Sequence, residues 1–234
     1  MKAASFRSRV RAQLTEEIKV VARRHLATDG ANLSLRAVTR DLGMTSSAIY
    51  RYFASRDELL TALILDGYHS LGSAVEAAEA AVPREDLTGR WLAVCHGLRD
   101  WAVANPHEYA LLYGSPVPGY QAPPDTVPAA QRAAGVLGRI LQDGTLAGQL
   151  PGSADPPANQ DDQLPEPVAA EIARIGQLLC PAAAPAVLCR AMGAWTQLFG
   201  TVTFELFGQF RNAIEDTRGY FDHQMRAQAR QIGL

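Results

Sequence analysis

At 234 residues the chain can form one large domain or two small ones around a real hydrophobic core, and its 47% hydrophobic and 20% charged content is that of an ordinary globular protein. Three cysteines, Cys95, Cys180 and Cys189, are too few for a disulfide framework, and the odd count leaves a thiol over, which suits a reducing cytoplasm. The net charge of −2 argues against a nucleic-acid partner until its distribution is read: residues 1–60 carry eleven lysines and arginines against six acids, a net of +5, while the remainder carries eleven against eighteen, a net of −7.

No segment reads as a membrane or metal element. Met1–Leu26 is basic but lacks the apolar run of a signal peptide. The most apolar stretch, Ala191–Phe207, is interrupted by Gly193, Thr196, Gln197, Gly200, Thr201, Thr203 and Glu205, so no membrane span and a cytoplasmic location are expected. There is no CxxC and no His/Cys cluster at zinc spacing, and neither a metal nor a cofactor is expected.

In chain order, Arg11–Thr28 is predicted as a helix, with Leu14, Ile18, Val21, Ala22 and Leu26 on one face and Asp29-Gly30 at its end. Arg7, Arg9 and Arg11 precede or open it, either as a disordered arm reaching phosphates or as solvated surface. The stretch Ser34–Leu60, SLRAVTRDLGMTSSAIYRYFASRDELL, organises the rest. Leu35, Val38 and Leu42 recur at helical spacing behind an N-cap candidate, Ser34. Gly43 follows where a left-handed cap needs no Cβ. Thr45 can cap a second helix, Ser46–Tyr52, whose buried member is Ile49. Two helices around so short a turn make a helix-turn-helix, and the second can enter a DNA major groove. Small side chains there allow a close approach, while hydroxyls, phenols and a guanidinium supply donors. Thr45, Tyr50 and Arg56 are assigned to phosphates, Ser34 to capping its helix against one strand, Arg51 and Ser47 to base edges and Ala48 to a thymine methyl; Ser46 and Tyr52 complete the DNA-binding set.

At these residues a resemblance becomes specific. The run Ile49-Tyr50-Arg51-Tyr52-Phe53, then Ser55-Arg56-Asp57-Glu58-Leu59-Leu60, resembles the TetR family of bacterial transcriptional regulators over about Arg11–Leu63. Thr39 stands where relatives often carry alanine, Ser46 where they carry lysine or proline, and His25 where they carry an apolar residue. Further on, Trp101–Tyr120, containing NPHEYALLYGSPVPGY, resembles the C-terminal domain class called WHG within such regulators.

Asp57 to about Ala81 is expected as one long helix ended by Pro83, and Asp86–Ala104 as another, with Leu87, Trp91, Val94, Cys95, Leu98 and Trp101 along its apolar face. Asn105-Pro106 stops that helix and opens a short one to Tyr113. Gly114–Tyr120 reads as an ordered turn-rich loop, Ala129–Leu146 as a helix, and Gly148–Pro167 as a flexible loop rich in proline and acids. Helices at Ala169–Leu179, Ala184–Phe207 and Ile214–Ala229 complete the chain. The fold class is therefore all-α: a three-helix helix-turn-helix head over residues 1–56, and a helical-bundle body over residues 57–234.

Enzyme motifs are missing: no GxSxG, P-loop, GxGxxG after a strand, or HExxH. Cys95 and His96 are adjacent and point about 100° apart on a helix, so they cannot pair as nucleophile and base. His96 reads as a surface, interface or cavity residue. Arg99, if buried, would hint at an acidic ligand. Aromatic faces of the body suggest an effector pocket lined by Trp91, Cys95, Tyr109, Tyr113, Trp195 and Phe199, although such residues also serve as plain core. The resemblance implies a homodimeric, ligand-responsive regulator, most often a repressor, that holds a palindromic double-stranded DNA operator and releases it on binding a small-molecule effector. The dimer seam is expected on the last two helices, where Ala184–Phe207 is apolar almost all round and Ile214, Tyr220, Phe221 and Met225 add to it. Two alternatives stay open: a helical small-molecule-binding protein or enzyme with a non-functional helix-turn-helix, and a dimeric DNA-binding protein that takes no ligand.

Overall fold

The computed structural model describes residues 2–29, 33–153, 155 and 163–234, and among these the regular structure is helical, with one isolated antiparallel bridge between Gly152 and Ala183. The helices are α1 (Lys2–Asp29), α2 (Leu35–Asp41), α3 (Arg56–Ala80), α4 (Leu87–Ala104), α5 (Pro106–Tyr113), α6 (Val127–Ala130), α7 (Arg132–Leu146), α8 (Glu166–Leu179), α9 (Pro185–Leu206) and α10 (Thr217–Ile232). Two compact units result, one from residues 1–70 with 105–130 and one from residues 71–104 with 131–234.

The first unit closes over a single apolar cluster. Ile18, Val21, Ala22 and Leu26 of α1 meet Leu33, Val38, Ile49, Phe53, Leu59, Leu60 and Leu63, all buried. Apart from Ala22, each such side chain contributes about 1.5–3 kcal/mol when fully removed from water. Polar ties orient the helices around that cluster. Lys19 reaches Asp66 of α3 at 2.8 Å, Arg23 reaches the same carboxylate oxygen at 2.6 Å, and the Arg23 Nε lies 3.8 Å from Glu108 of α5. The loop after α5 is anchored as its apolar and aromatic residues predict. Val117 and Tyr120 pack on the cluster, and the Tyr120 hydroxyl lies 2.9 Å from that of Thr61.

The second unit is built on α4, whose Trp91, Val94, Cys95, Leu98 and Ala102 are fully buried where it packs on α7, α9 and α10; Val136 and Ile140 of α7, Leu198 and Val202 of α9, and Phe221 and Met225 of α10 are fully buried too. The Trp91 indole spends its N–H on the Met225 carbonyl at 2.9 Å. Both α4 and α10 start on an Asp-x-x-Gly cap. Asp86 Oδ1 accepts from the Gly89 N–H at 2.8 Å and Asp216 Oδ1 from the Gly219 N–H at 2.8 Å, and a Cβ on either glycine would sit 2.1 Å from the capping carboxylate.

Several expectations shift. α1 begins at Lys2, so Arg7, Arg9 and Arg11 belong to a helix and not to a disordered arm. α10 starts at Thr217 instead of Ile214, because Asp216 caps it. Much of the loop expected at 148–167 lies outside the described residues. Its described start is tied down, with the Ser153 N–H on the Ala182 carbonyl at 2.7 Å and the Ala184 N–H on Pro151 at 3.0 Å, and α8 begins at Glu166, before Ala169.

Candidate nucleic-acid interface

The turn after α2 forms as its residues dictate. Gly43 adopts φ +64°, its N–H reaches the Arg40 carbonyl at 3.1 Å, and Met44 closes on Thr39 at 2.9 Å. Thr39 is buried with its hydroxyl donated to the Arg36 carbonyl at 2.9 Å, so the position favours a small side chain that can satisfy itself. Ser34 is the N-cap of α2, but its side chain makes no capping bond; its carbonyl takes the first helical bond from Val38 at 3.1 Å.

The second helix is tighter and shorter than its pattern predicts. Ser46–Ala48 is a turn and Ile49–Arg51 a 3-10 helix, held by i→i+3 bonds from Ala48 to Thr45 at 2.9 Å, Arg51 to Ala48 at 3.2 Å and Tyr52 to Ile49 at 2.8 Å. Serines and threonine compete for backbone partners, and the β-branched Ile49 adds nothing to helix propensity, so tertiary burial decides. Ile49 and Phe53 are buried; Thr45, Ser46, Ser47, Tyr50 and Arg51 are exposed, and Ala48 and Tyr52 half-buried. Seven residues of the assigned set thus lie on one short segment, Thr45–Tyr52, whose anchors face inward and whose donors face water. Thr45 keeps its hydroxyl 3.4 Å from that of Ser47.

The segment's flank is fixed by the start of α3. Ser55 Oγ accepts from the Glu58 N–H at 3.1 Å while the Glu58 carboxylate accepts from the Ala54 N–H, a variant of the capping box in which the carboxylate reaches the residue before the cap. Glu58 is thereby turned onto the helix terminus, where the dipole favours its charge. Arg56 donates its Nε to the Leu33 carbonyl at 3.0 Å, tying the residues before α2 to α3. Arg36 and Arg40 on α2 and Arg51 are exposed cations in this unit. Arg11, outside the assigned set, donates Nη2 to the Arg51 carbonyl at 2.9 Å, and its guanidinium lies 5.9 Å from the Tyr52 ring centre. No spacing rule links residues 11 and 51, so nothing in the sequence pattern reveals this contact.

The six effector candidates fall into separate groups. In the first unit Tyr109 is fully buried, 5.2 Å from the Tyr113 ring, which meets Tyr68 edge-on at 6.1 Å; burial pushes the Tyr113 hydroxyl well above the ordinary tyrosine range. In the second unit Trp91 and Cys95 are core, and burial pushes the Cys95 thiol well up, which makes it inert. Trp195 and Phe199 are a half-buried pair at 5.2 Å on α9. His96 lies 3.1 Å from Asp222. Arg99 is buried but forms a two-pronged pair with Glu205, 2.8 Å from its Nε, so its charge is met inside the protein and gives no hint of an acidic ligand. Among the described residues no three His, Cys, Asp or Glu side chains gather to hold a metal, and no helix is long and apolar enough to cross a membrane.

Comparison with known proteins covers both units. Residues 18–63 match the family described as bacterial regulatory proteins, tetR family, and residues 91–228 match the tetracyclin repressor-like C-terminal domain. The chain is 38% identical over 221 residues to the HTH-type transcriptional regulators Rv1816 of Mycobacterium tuberculosis and Mb1846 of Mycobacterium bovis, covering 92% of this chain and 91% of each relative. The crystal structure of the regulatory protein SCO4313 superposes with a TM-score of 0.72 at 33% identity, covering 94% of this chain and 97% of that one.

Proposed function

The chain belongs to the TetR family of bacterial transcription regulators, and on that premise we propose that it is a repressor that binds a palindromic operator as a homodimer and is released by a small-molecule effector. The observation that carries the DNA reading is the Thr45–Tyr52 segment, with Ile49 buried and the hydroxyl, phenol and guanidinium side chains of Thr45, Ser46, Ser47, Tyr50 and Arg51 exposed. Each protomer sets this segment into a major groove, and two of them read successive grooves. Effector and operator compete through a coupling of about 1–3 kcal/mol, equal in both directions by linkage. The work takes place in the cytoplasm, where the operator is. Retention of genomic fragments on the purified protein at rising salt tests the reading. A specific fragment should survive salt that strips the rest, and equal loss of all fragments would sink it.

Within that surface, Arg51 is the proposed base reader. Arg51→Ala should cost about 1–3 kcal/mol on the selected fragment and relax preference at one position of each half-site. A binding-site selection with the variant that returns the wild-type preference removes Arg51 from that role. Tyr50 and Arg56 remain proposed phosphate contacts; within the protein the Arg56 guanidinium also donates to Leu33 and lies 3.6 Å from Asp57.

The dimer reading rests on the outer face of α9. Met192, Phe204 and Phe207 are 42%, 52% and 47% exposed, beside the half-buried Trp195 and Phe199. Gly193 and Gly200, seven residues apart on one face, have nothing within 4 Å of where a Cβ would stand. A mid-helix glycine costs about 1 kcal/mol relative to alanine, a cost that close approach of a second backbone offsets. Phe221 and Met225 of α10 are fully buried in their own unit, so the seam is assigned to α9 and the half-buried Tyr220. For the effector, the proposed contacts stay in their two groups, Tyr109 and Tyr113 in the first unit and Trp91, Cys95, Trp195 and Phe199 in the second; a ligand-bound structure with none of them in contact refutes the assignment.

A further inference from the structure

The DNA-reading segment is short, and its far end is held by a residue forty positions upstream. Ile49–Arg51 is a single 3-10 turn, a geometry with poorer hydrogen bonds than an α-helix and little stability of its own. On the inner side Ile49 and Phe53 anchor it in the core. At its end the Arg51 carbonyl, of the kind that helix termini leave over, accepts Nη2 of Arg11 at 2.9 Å. The same guanidinium stands 5.9 Å from the Tyr52 ring centre, so one side chain holds two successive residues. Phe6 and Val10 of α1 wall the groove of about 270 Å³ that Arg11, Arg51 and Tyr52 complete.

We propose that Arg11 is a positioning residue of the DNA-reading surface: it fixes the end of the 3-10 turn, and with it the directions of the Tyr50 and Arg51 side chains, before DNA arrives. The proposal rests on the DNA-binding reading above. A cation beside a DNA-reading segment suggests a phosphate ligand first, but the contacts of Arg11 point elsewhere. Its Nη2 is spent on a backbone carbonyl and its plane lies by an aromatic ring, a pairing that suits a guanidinium and not an ammonium. A turn already ordered loses less freedom on binding, and only the sequence that Arg51 reads benefits from the correct aim. The effect therefore falls on discrimination and not on the general attraction to phosphate.

The test uses the full-length protein with Arg11→Ala, the genomic fragment selected by the wild type, and mixed-sequence DNA. Because Arg11 is exposed, the thermal midpoint should not move. Affinity for the selected fragment should fall about tenfold, affinity for mixed DNA should hold, and the salt slope should be unchanged. In the free variant, amide exchange should quicken at Ile49–Phe53 and stay as in the wild type elsewhere. A salt slope shallower by about 0.9 per head would show a phosphate ligand and overturn the proposal. So would unchanged affinity and preference on the selected fragment, or a lower thermal midpoint with exchange faster throughout. A wild type that retains no fragment overturns the DNA reading itself, before the variant is made, and this proposal with it.

Discussion

Phe204→Glu is expected to leave a monomer of about 25.2 kDa whose affinity for the operator is lower by 10²–10⁴-fold, with each head still folded. The size follows from how short the reading segment is. One 3-10 turn touches only a few base pairs, so a single head discriminates weakly, and the second head is bound at the effective concentration that the dimer sets. Phe204 sits on the exposed stripe of α9, on the same face as Gly200 and Phe207, in edge contact with Phe210 at 5.7 Å; Phe210 in turn meets Tyr220 at 5.3 Å. A carboxylate there is buried without a partner in any two-fold seam and faces or neighbours its own copy, and both effects are unfavourable. In the monomer it points to water at little cost. Sedimentation at micromolar concentration reads the first half of the expectation and fragment retention the second. A wild type that sediments as a monomer ends the dimer reading; a Phe204→Glu protein that stays dimeric moves the seam off this face.

How far the sequence speaks differs by residue. Gly43 and Ile49 act through local geometry, a positive φ and a buried helical position, and both read correctly from the string; the cap made by Ser55 and Glu58 is equally local. The same locality explains the all-α class and most helix ends. The 3-10 form of residues 49–51 was not legible, because helical spacing is shared by both geometries over three residues and burial of Ile49 and Phe53 chose between them. Asp216-x-x-Gly219 carries a cap signal that stands in the sequence, and the apolar Ile214 draws the expected start three residues too early. Arg11 over Tyr52, and Arg99 against Glu205 106 residues away, are tertiary facts with no period to announce them. The aromatic body residues show the limit from the other side. An apolar face says that Trp91 and Tyr109 are buried, as they are, and does not by itself separate core from pocket wall.

Arg90→Ala should destabilise the second unit by about 3–5 kcal/mol, more than its lost packing accounts for. Arg90 is buried, with Glu79 at 2.6 Å, Asp143 at 2.8 Å and the Arg84 carbonyl at 2.9 Å around its guanidinium, so one cation joins the end of α3, α4 and α7. Truncation leaves two largely buried carboxylates without the cation they share, with the exposed Arg84 still on Asp143 and Arg139 at 3.9 Å from Glu79. Arg90→Met separates charge from volume: it refills the space but restores no charge, and it should recover at most about 1–2 kcal/mol. The pH dependence carries the sign. Hydrogen bonding by Arg84, and then by Arg90, holds the Asp143 carboxyl below the usual range, so in the wild type its contribution is present above the ordinary aspartate value and is lost as pH falls through the lowered one. Without Arg90 that depression weakens and protonation comes at higher pH, so the stability gap between variant and wild type, constant near neutral pH, should narrow as pH falls from the ordinary aspartate value towards the lowered one. All three tryptophans, Trp91, Trp101 and Trp195, lie in this unit, so urea unfolding followed by their fluorescence reports on it directly. An Arg90→Met protein as stable as the wild type, or a gap that does not change with pH, would remove the uncompensated carboxylates as the cause.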